Sequence, residues 1–219
     1  MSWVDAGSGL RERKKQQTRL QIAETARRLF LERGFDAVTV AEVAREADVS
    51  PGTVFNYFPT KEDLFYSGME VFEERLLAAV RDRPAGEPVL VAVQRVVLEG
   101  IPRLASGETA DFIAGAARII GSSRALQARE REIVAHYTQE LAALIAAESK
   151  RSSDDVEAAT VAIALMGAQR ALVAYVHAAV LEGRRGQKLA SSVRSQAKRA
   201  FARLEGGLGD YAAKAGEAA

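Results

Sequence analysis

The placement of proline constrains this 219-residue chain more than any other feature. Its five prolines are Pro51, Pro59, Pro84, Pro88 and Pro102, and none follows in the second half. Proline interrupts helix interiors and central strands alike, so the span after Pro102 is open to long unbroken elements. Alanine and other good helix formers fill it, and period-two alternation of β-branched residues is scarce. That composition predicts helices. The expected fold class is all-α, with about nine helices.

Before Pro102 the punctuation is denser. Residues 1–10 contain Gly7-Ser8-Gly9 and little apolar periodicity, and read as a flexible arm. Arg11, Arg13, Lys14, Lys15 and Arg19 follow, interrupted only by Glu12. Ile22, Ala23, Ala26, Leu29 and Phe30 then make one apolar stripe, closed by Gly34. Thr39-Val40-Ala41-Glu42 has capping-box spacing and opens a second helix with Val40, Val43, Ala44 and Ala47 inward. Ser50-Pro51 is an N-cap followed by proline at the first helical position. The third helix is short, and only Val54 and Phe58 can face inward. Pro59 breaks the chain, and Thr60 to Asp63 repeats the capping signal before a helix to about Arg83. Further helices are expected at 88–105, 109–121, 124–149, 154–182 and 187–205, with Ser153 or Asp154 capping the 154–182 helix.

Composition narrows the functional classes. The chain has no cysteine, which excludes disulfides, iron–sulfur clusters and thiol nucleophiles. Its net charge is +1, so only local charge can speak about partners. The basic N-terminal stretch lacks a following apolar run, and no uncharged apolar segment of about 18 residues occurs. A cytoplasmic protein without a membrane span is expected. Gly7-Ser8-Gly9 follows no strand, and no Walker loop, G-x-S-x-G or HExxH sequence is present. The only histidines, His136 and His177, are far apart in sequence. No catalytic residue, metal ligand or cofactor is expected.

Three short helices with a tight turn between the second and third describe a helix-turn-helix. Removing the inward residues of the third leaves Ser50, Pro51, Gly52, Thr53, Phe55, Asn56 and Tyr57. These are small, aromatic or hydrogen-bonding types, unlike the Glu/Lys mix of a solvated face. Small residues permit close approach to a groove, a Thr methyl or aromatic edge can touch thymine, and Asn can pair with adenine. The alternative for Phe55 and Tyr57 is ordinary packing, and the groove-facing reading is the favoured one. The basic run could be a solvated helix face or a set of phosphate contacts.

The stretch from Thr39 to Phe58, followed by Pro59-Thr60-Lys61-Glu62-Asp63-Leu64 and preceded by Arg28-Leu-Phe-Leu-Glu-Arg-Gly-Phe35, resembles the DNA-binding domain of TetR-family transcriptional regulators. The resemblance covers roughly residues 13–65. It implies a helix-turn-helix domain at 11–59 (motif 39–58), a helical effector-binding and dimerisation domain at 60–208, and a flexible tail at 209–219. It further implies phosphate contact by Thr39 and Lys61, groove entry by Pro51, Gly52 and Thr53, and contacts along the groove by Phe55, Asn56 and Tyr57. Many members carry Tyr, a second aromatic and His where Phe55, Asn56 and Tyr57 stand, so the operator sequence is not implied. The basic residues Arg13, Lys14, Lys15 and Arg19 join the DNA-binding candidates. Lys61 carries its own argument, because a cation at a helix N-terminus is disfavoured unless an anion is near.

The 154–182 segment is apolar nearly all round, so both of its sides must be covered. With the 187–205 stripe of Leu189, Val193, Ala197, Phe201 and Leu204 it could form an isologous four-helix dimer interface. Phe112, Arg118, Tyr137, Met166, Gln169, Arg170, Tyr175 and His177 are polar, aromatic or soft residues within otherwise apolar helices. They are the candidate liners of a site for a largely apolar small-molecule effector. The expected function is a dimeric repressor that binds a pseudo-palindromic operator, with half-sites about 34–36 Å apart, and is released by the effector. An effector-independent regulator of the same fold, or an enzyme retaining a vestigial DNA-binding domain, are the alternatives.

Overall fold

The computed structural model describes residues 6–148 and 156–208. The expected cap at Ser153 or Asp154, the 209–219 tail and the first five residues of the arm lie outside the described residues. Everything ordered into elements is helical, as the proline distribution predicts. Contacts divide the chain into two units: residues up to Glu70 with Ile119–Gln127, and Val71–Arg118 with the residues from Ala128 onward.

In the first unit, α1 runs from Ala6 to Arg33. It begins inside the expected arm, so the basic run stands on a helix. Ile22, Ala26, Leu29 and Phe30 are its buried stripe. The helix ends at Gly34, whose φ of +84° no β-carbon would favour, and whose N–H donates to the Phe30 carbonyl at 2.9 Å. Helix α2 (Val40–Glu46) opens on the capping box of Thr39 and Glu42. Helix α3 (Pro51–Tyr57) opens on Ser50, whose hydroxyl accepts from the Thr53 N–H. Between them Asp48 takes φ +52°, a left-handed conformation that Asp tolerates better than most side chains. The turn closes through Val49 N–H to the Ala44 carbonyl at 2.9 Å.

Helix α4 (Lys61–Arg81) starts with a reciprocal pair. Thr60 N–H donates to Asp63 Oδ2 at 3.0 Å, and Asp63 N–H donates to Thr60 Oγ1 at 3.1 Å. The unit boundary falls within this helix and not at its start, where the sequence placed it. Phe30, Phe35, Phe65 and Tyr66 form an aromatic cluster with centroids 5.1–6.1 Å apart. The Tyr66 hydroxyl donates to the Leu126 carbonyl at 3.0 Å, which ties residues 119–127 into this unit.

The second unit comprises the rest of α4, α5 (Val89–Gly100), a 3-10 turn (Ile101–Ala105), most of α6 (Gly107–Ser122) and α7 (Arg124–Glu148), α8 (Val156–Leu181) and α9 (Gly186–Leu208). The expected 88–105 helix tightens at Ile101, because Pro102 has no N–H for an i→i−4 bond. Leu76, Val80, Val93, Leu141, Ile145, Leu165 and Phe201 sit in one apolar core. Arg83 is fully enclosed within it. Its Nε donates to the Glu87 carbonyl at 2.9 Å, Nη1 donates to the Val80 carbonyl, and Nη2 lies 2.6 Å from Glu148.

Helix α8 buries Val161, Leu165, Met166, Leu172 and Val180. Its other side leaves Val156 78% and Ile163 62% exposed, with Gly167, Ala171, Ala174, Ala178 and Leu181 also outward. By length and composition alone this helix could cross a membrane, although Arg170 interrupts it. A helix covered by a second chain meets the same description.

The turn before α3 makes a direct prediction. Asp48→Val, β-branched at a left-handed position, should lower unfolding stability by about 1–2 kcal/mol, while Asp48→Gly should not lower it. Urea titration followed by circular dichroism measures both.

Candidate nucleic-acid interface

Helix α3 is held from below and open above. Val54 and Phe58 are 0% and 1% exposed, whereas Ser50, Pro51, Gly52, Phe55 and Asn56 are exposed and Thr53 and Tyr57 half-buried. Phe55 alone leaves 50% of its surface in solvent. Half of a large hydrophobe is thus left in water on a seven-residue helix, a placement that the core of this unit does not require. A β-carbon at Gly52 would meet only Ser50 Oγ, at 3.7 Å, so the fold does not require glycine there. What the smallness provides is clearance at the helix start.

The polar groups at this face are partly committed. Ser50 Oγ accepts from Thr53 N–H at 3.0 Å and lies 2.8 Å from Thr53 Oγ1. Thr39 Oγ1 donates to Glu42 Oε2 at 2.9 Å and accepts from Glu42 N–H at 3.2 Å, while Thr39 N–H donates to Glu42 Oε2 at 2.8 Å. Hydrogen bonds from the Thr39 backbone and hydroxyl hold the Glu42 carboxyl below the usual carboxylate range, with Arg33 and Arg45 helping. A phosphate at Thr39 would therefore sit beside an ionised carboxylate.

Lys61 answers its electrostatic problem within the fold. Its Nζ lies 4.3 Å from the centroid of Phe35 and 5.9 Å from that of Phe30. The ring faces offset the unfavourable helix dipole, so the inference that an anion must be near does not follow. Arg19 is also engaged. Its Nη2 is 2.5 Å from Glu70 Oε2, and its guanidinium carbon is 5.0 Å from the Phe58 centroid. Among the other basic candidates, Arg13, Lys14 and Lys15 are exposed along α1. Sequence reasoning passed over Arg45, an exposed cation on α2, because a lone charge on a short amphipathic helix carries no signal apart from solvation.

The effector candidates do not form one group. Arg170 Nη1 lies 3.6 Å from Glu130 Oε1, and His177 shares their surroundings. Burial pushes the His177 imidazole to lower pKa, Glu130 opposing and Arg170 reinforcing the shift. Tyr175 is part of a separate network between α8 and α9. Its hydroxyl is bonded to Ser192 and accepts from Arg184 Nη1 at 2.8 Å. Met166 is buried in the core, Tyr137 packs on it, and Gln169 is half-buried. Phe112 and Arg118 are exposed on α6, so the burial cost that singled them out does not arise. Among the described residues, no group of three His, Asp or Glu could hold a metal ion.

Comparison with known proteins bears on this face. The family described as bacterial regulatory proteins, tetR family, matches residues 22–67. The HTH-type transcriptional regulator TcmR of Streptomyces glaucescens is 37% identical over 102 residues, covering 47% of this chain and 45% of TcmR. The alignment thus spans about half the length of that relative. NalD, the secondary repressor of the MexAB-OprM multidrug efflux pump in Pseudomonas aeruginosa, superposes with a TM-score of 0.57 at 20% identity, over 85% of this chain and 96% of NalD. The Bacillus subtilis transcriptional regulator FadR, solved with stearoyl-CoA, superposes with a TM-score of 0.51 at 21% identity, over 83% of this chain and 97% of FadR. At these identities the two structures establish a shared fold.

The capping box has a pH signature. Because the folded state lowers the Glu42 pKa, its contribution is complete above the normal carboxylate range and is lost as pH falls from there through the lower folded-state pKa. Glu42→Gln should therefore flatten the acid limb of the stability curve. Thermal melts from neutral to acid pH test this, and an unchanged acid limb would contradict it.

Proposed function

We propose that the chain, whose residues 22–67 match the tetR family of bacterial regulatory proteins, is a dimeric transcriptional repressor released from its operator by a small molecule. The observation that carries the reading is the outward side of α3. An exposed aromatic, an exposed amide and a glycine-cleared helix start lie above two buried anchors. Asn56 offers an amide for adenine and Phe55 an apolar edge for thymine methyls. The exposed lysines of α1 supply sequence-independent attraction to phosphate.

Dimerisation uses the outward stripe of α8, Ile163-x-x-x-Gly167-x-x-x-Ala171, with α9 beside it. Glycine and alanine at one-turn intervals let a second helix approach closely, and a partner removes Val156 and Ile163 from water. The isologous pair presents two copies of α3 to successive major-groove faces. The effector binds in the second unit, where Glu130, Arg170 and His177 give a half-buried polar cluster among apolar helices. FadR, of the same fold, holds stearoyl-CoA, which supports ligand binding by a domain of this kind. Helix α4 is continuous from Lys61 to Arg81 and is the covalent route by which the effector acts. Coupling of about 1–3 kcal/mol is typical of such linkage, and the effector must prefer the released form. The protein works in the cytoplasm and performs no chemistry on its ligand.

Selection of genomic fragments by the purified protein tests the reading. A short inverted-repeat site is expected. On it, Asn56→Ala and Phe55→Ala should each weaken binding by about 1–3 kcal/mol, and Lys14→Ala or Lys15→Ala should reduce the salt slope by about one per subunit. Failure to enrich any sequence would overturn the assignment. Gly167→Glu should shift the protein to monomer in sedimentation equilibrium and weaken operator binding with it. A dimer that persists would exclude the α8 interface.

A further inference from the structure

Arg19 was grouped with the phosphate contacts by its place in the basic run, yet its surroundings give it a different task. Its guanidinium lies between a carboxylate and an aromatic ring, 2.5 Å from Glu70 Oε2 and 5.0 Å from the Phe58 centroid. Both partners matter to the recognition helix. Phe58 is the C-cap residue of α3, with its N–H on the Val54 carbonyl at 2.9 Å, and its ring is one of only two inward anchors. Glu70 stands on α4, the helix that continues the chain after Pro59 and Thr60. One side chain of α1 thus fixes both the end of α3 and the helix that follows it.

We propose that Arg19 and Glu70 are positioning residues that set the orientation of the recognition helix through Phe58, and that Arg19 is not a phosphate ligand. Glu70 holds Arg19 Nη2 at contact distance and offsets the charge that a phosphate would seek, while Phe58 lies against the guanidinium. The planar guanidinium can stack on Phe58 while its edge serves Glu70, a pairing that a lysine could not reproduce. Side-chain exposures of 27% and 35% make the pair worth little to global stability. Its effect is therefore expected in the placement of α3 and not in whether the domain folds.

The inference rests on the DNA-binding reading, and the test separates the two. The full-length protein, Arg19→Gln, Glu70→Gln, the double variant and Arg19→Lys are titrated with the selected operator fragment at several salt concentrations. The temperature is one at which circular dichroism shows all five folded. Positioning predicts that Glu70→Gln weakens binding about three- to tenfold although it removes a negative charge. It predicts a similar loss for Arg19→Gln and Arg19→Lys, a double variant no weaker than the worse single one, and the wild-type salt slope throughout. Phosphate contact predicts the reverse: Glu70→Gln binds as well as or better than wild type, Arg19→Lys retains affinity, and Arg19→Gln lowers the slope by about one per subunit. That pattern, or five equal affinities, overturns the proposal while leaving the DNA-binding reading intact. A wild-type protein that selects no DNA overturns the DNA-binding reading and the proposal together.

Discussion

A seven-residue helix cannot hold itself together in water, because nucleation fixes more dihedrals than so few hydrogen bonds repay. Helix α3 exists because its surroundings complete it. Ser50 satisfies an end N–H, Pro51 presets the first turn, Phe58 closes the last, and Val54 and Phe58 bury the only apolar surface facing inward. Everything else in the first unit serves that arrangement. Helix α1 packs against α2, which packs against α3; Ile22, Ala26 and Phe30 of α1 are buried, and the Gln21 side-chain amide donates to the Ala47 carbonyl at 2.9 Å, next to the turn. Of the outward residues, Ser50 and Pro51 still serve the helix start, whereas Phe55 and Asn56 cap nothing, which is what makes their chemistry informative.

The second unit follows a different rule. Its core is built from alanine, valine and leucine on long helices, and its polar groups are few and specific. Arg83 is the extreme case: with no exposed side-chain surface it joins two carbonyls and the carboxylate of Glu148. A buried ion pair of this kind adds little net stability over an apolar replacement, but removing one member alone is costly because it strands the other. Arg83 stands just beyond the C-terminal end of α4, so that end is fixed to α7. Its N-terminal end is fixed by Thr60 and Asp63.

Much of this was legible in the residues. The start of α2 needed only Thr39 and Glu42 at the right spacing, the start of α3 only Ser50-Pro51, and the stop of α1 only Gly34, because these are local motifs whose physics is complete within four or five residues. The buried pair Val54 and Phe58 followed from helical spacing alone. What escaped was non-local. Nothing in the sequence brings Glu70 to Arg19, Leu126 to Tyr66 or Glu148 to Arg83, since each pair is set by how helices far apart in the chain pack. Phe112 and Arg118 are exposed, which the sequence could not show for the same reason: an unusual residue in an apolar helix implies a burial cost only when the face it occupies is covered. Lys61 is a subtler case: the rings of Phe35 and Phe30, distant in sequence, lie near its ammonium group and offset the helix dipole that otherwise calls for an anion.

The same pairings reshape the electrostatics of the DNA-facing unit. With a net charge of only +1, the chain cannot attract a polyanion globally, and the basic residues of α1 are the natural substitute. Several are matched by acids, among them Arg19 by Glu70, Arg28 by Glu32 and Glu46, and Arg33 by Glu42. These pairs tie α1 to α2 and α4. Their charge is largely spent on internal geometry, and the lysines nearer the start of α1 remain as exposed cations. A DNA-binding surface with few exposed cations would show a shallow dependence on salt, and would leave more of the discrimination between sites to base edges and groove shape. On α3 the side chains open to such contact are the outward ones, Phe55 and Asn56, beside Gly52.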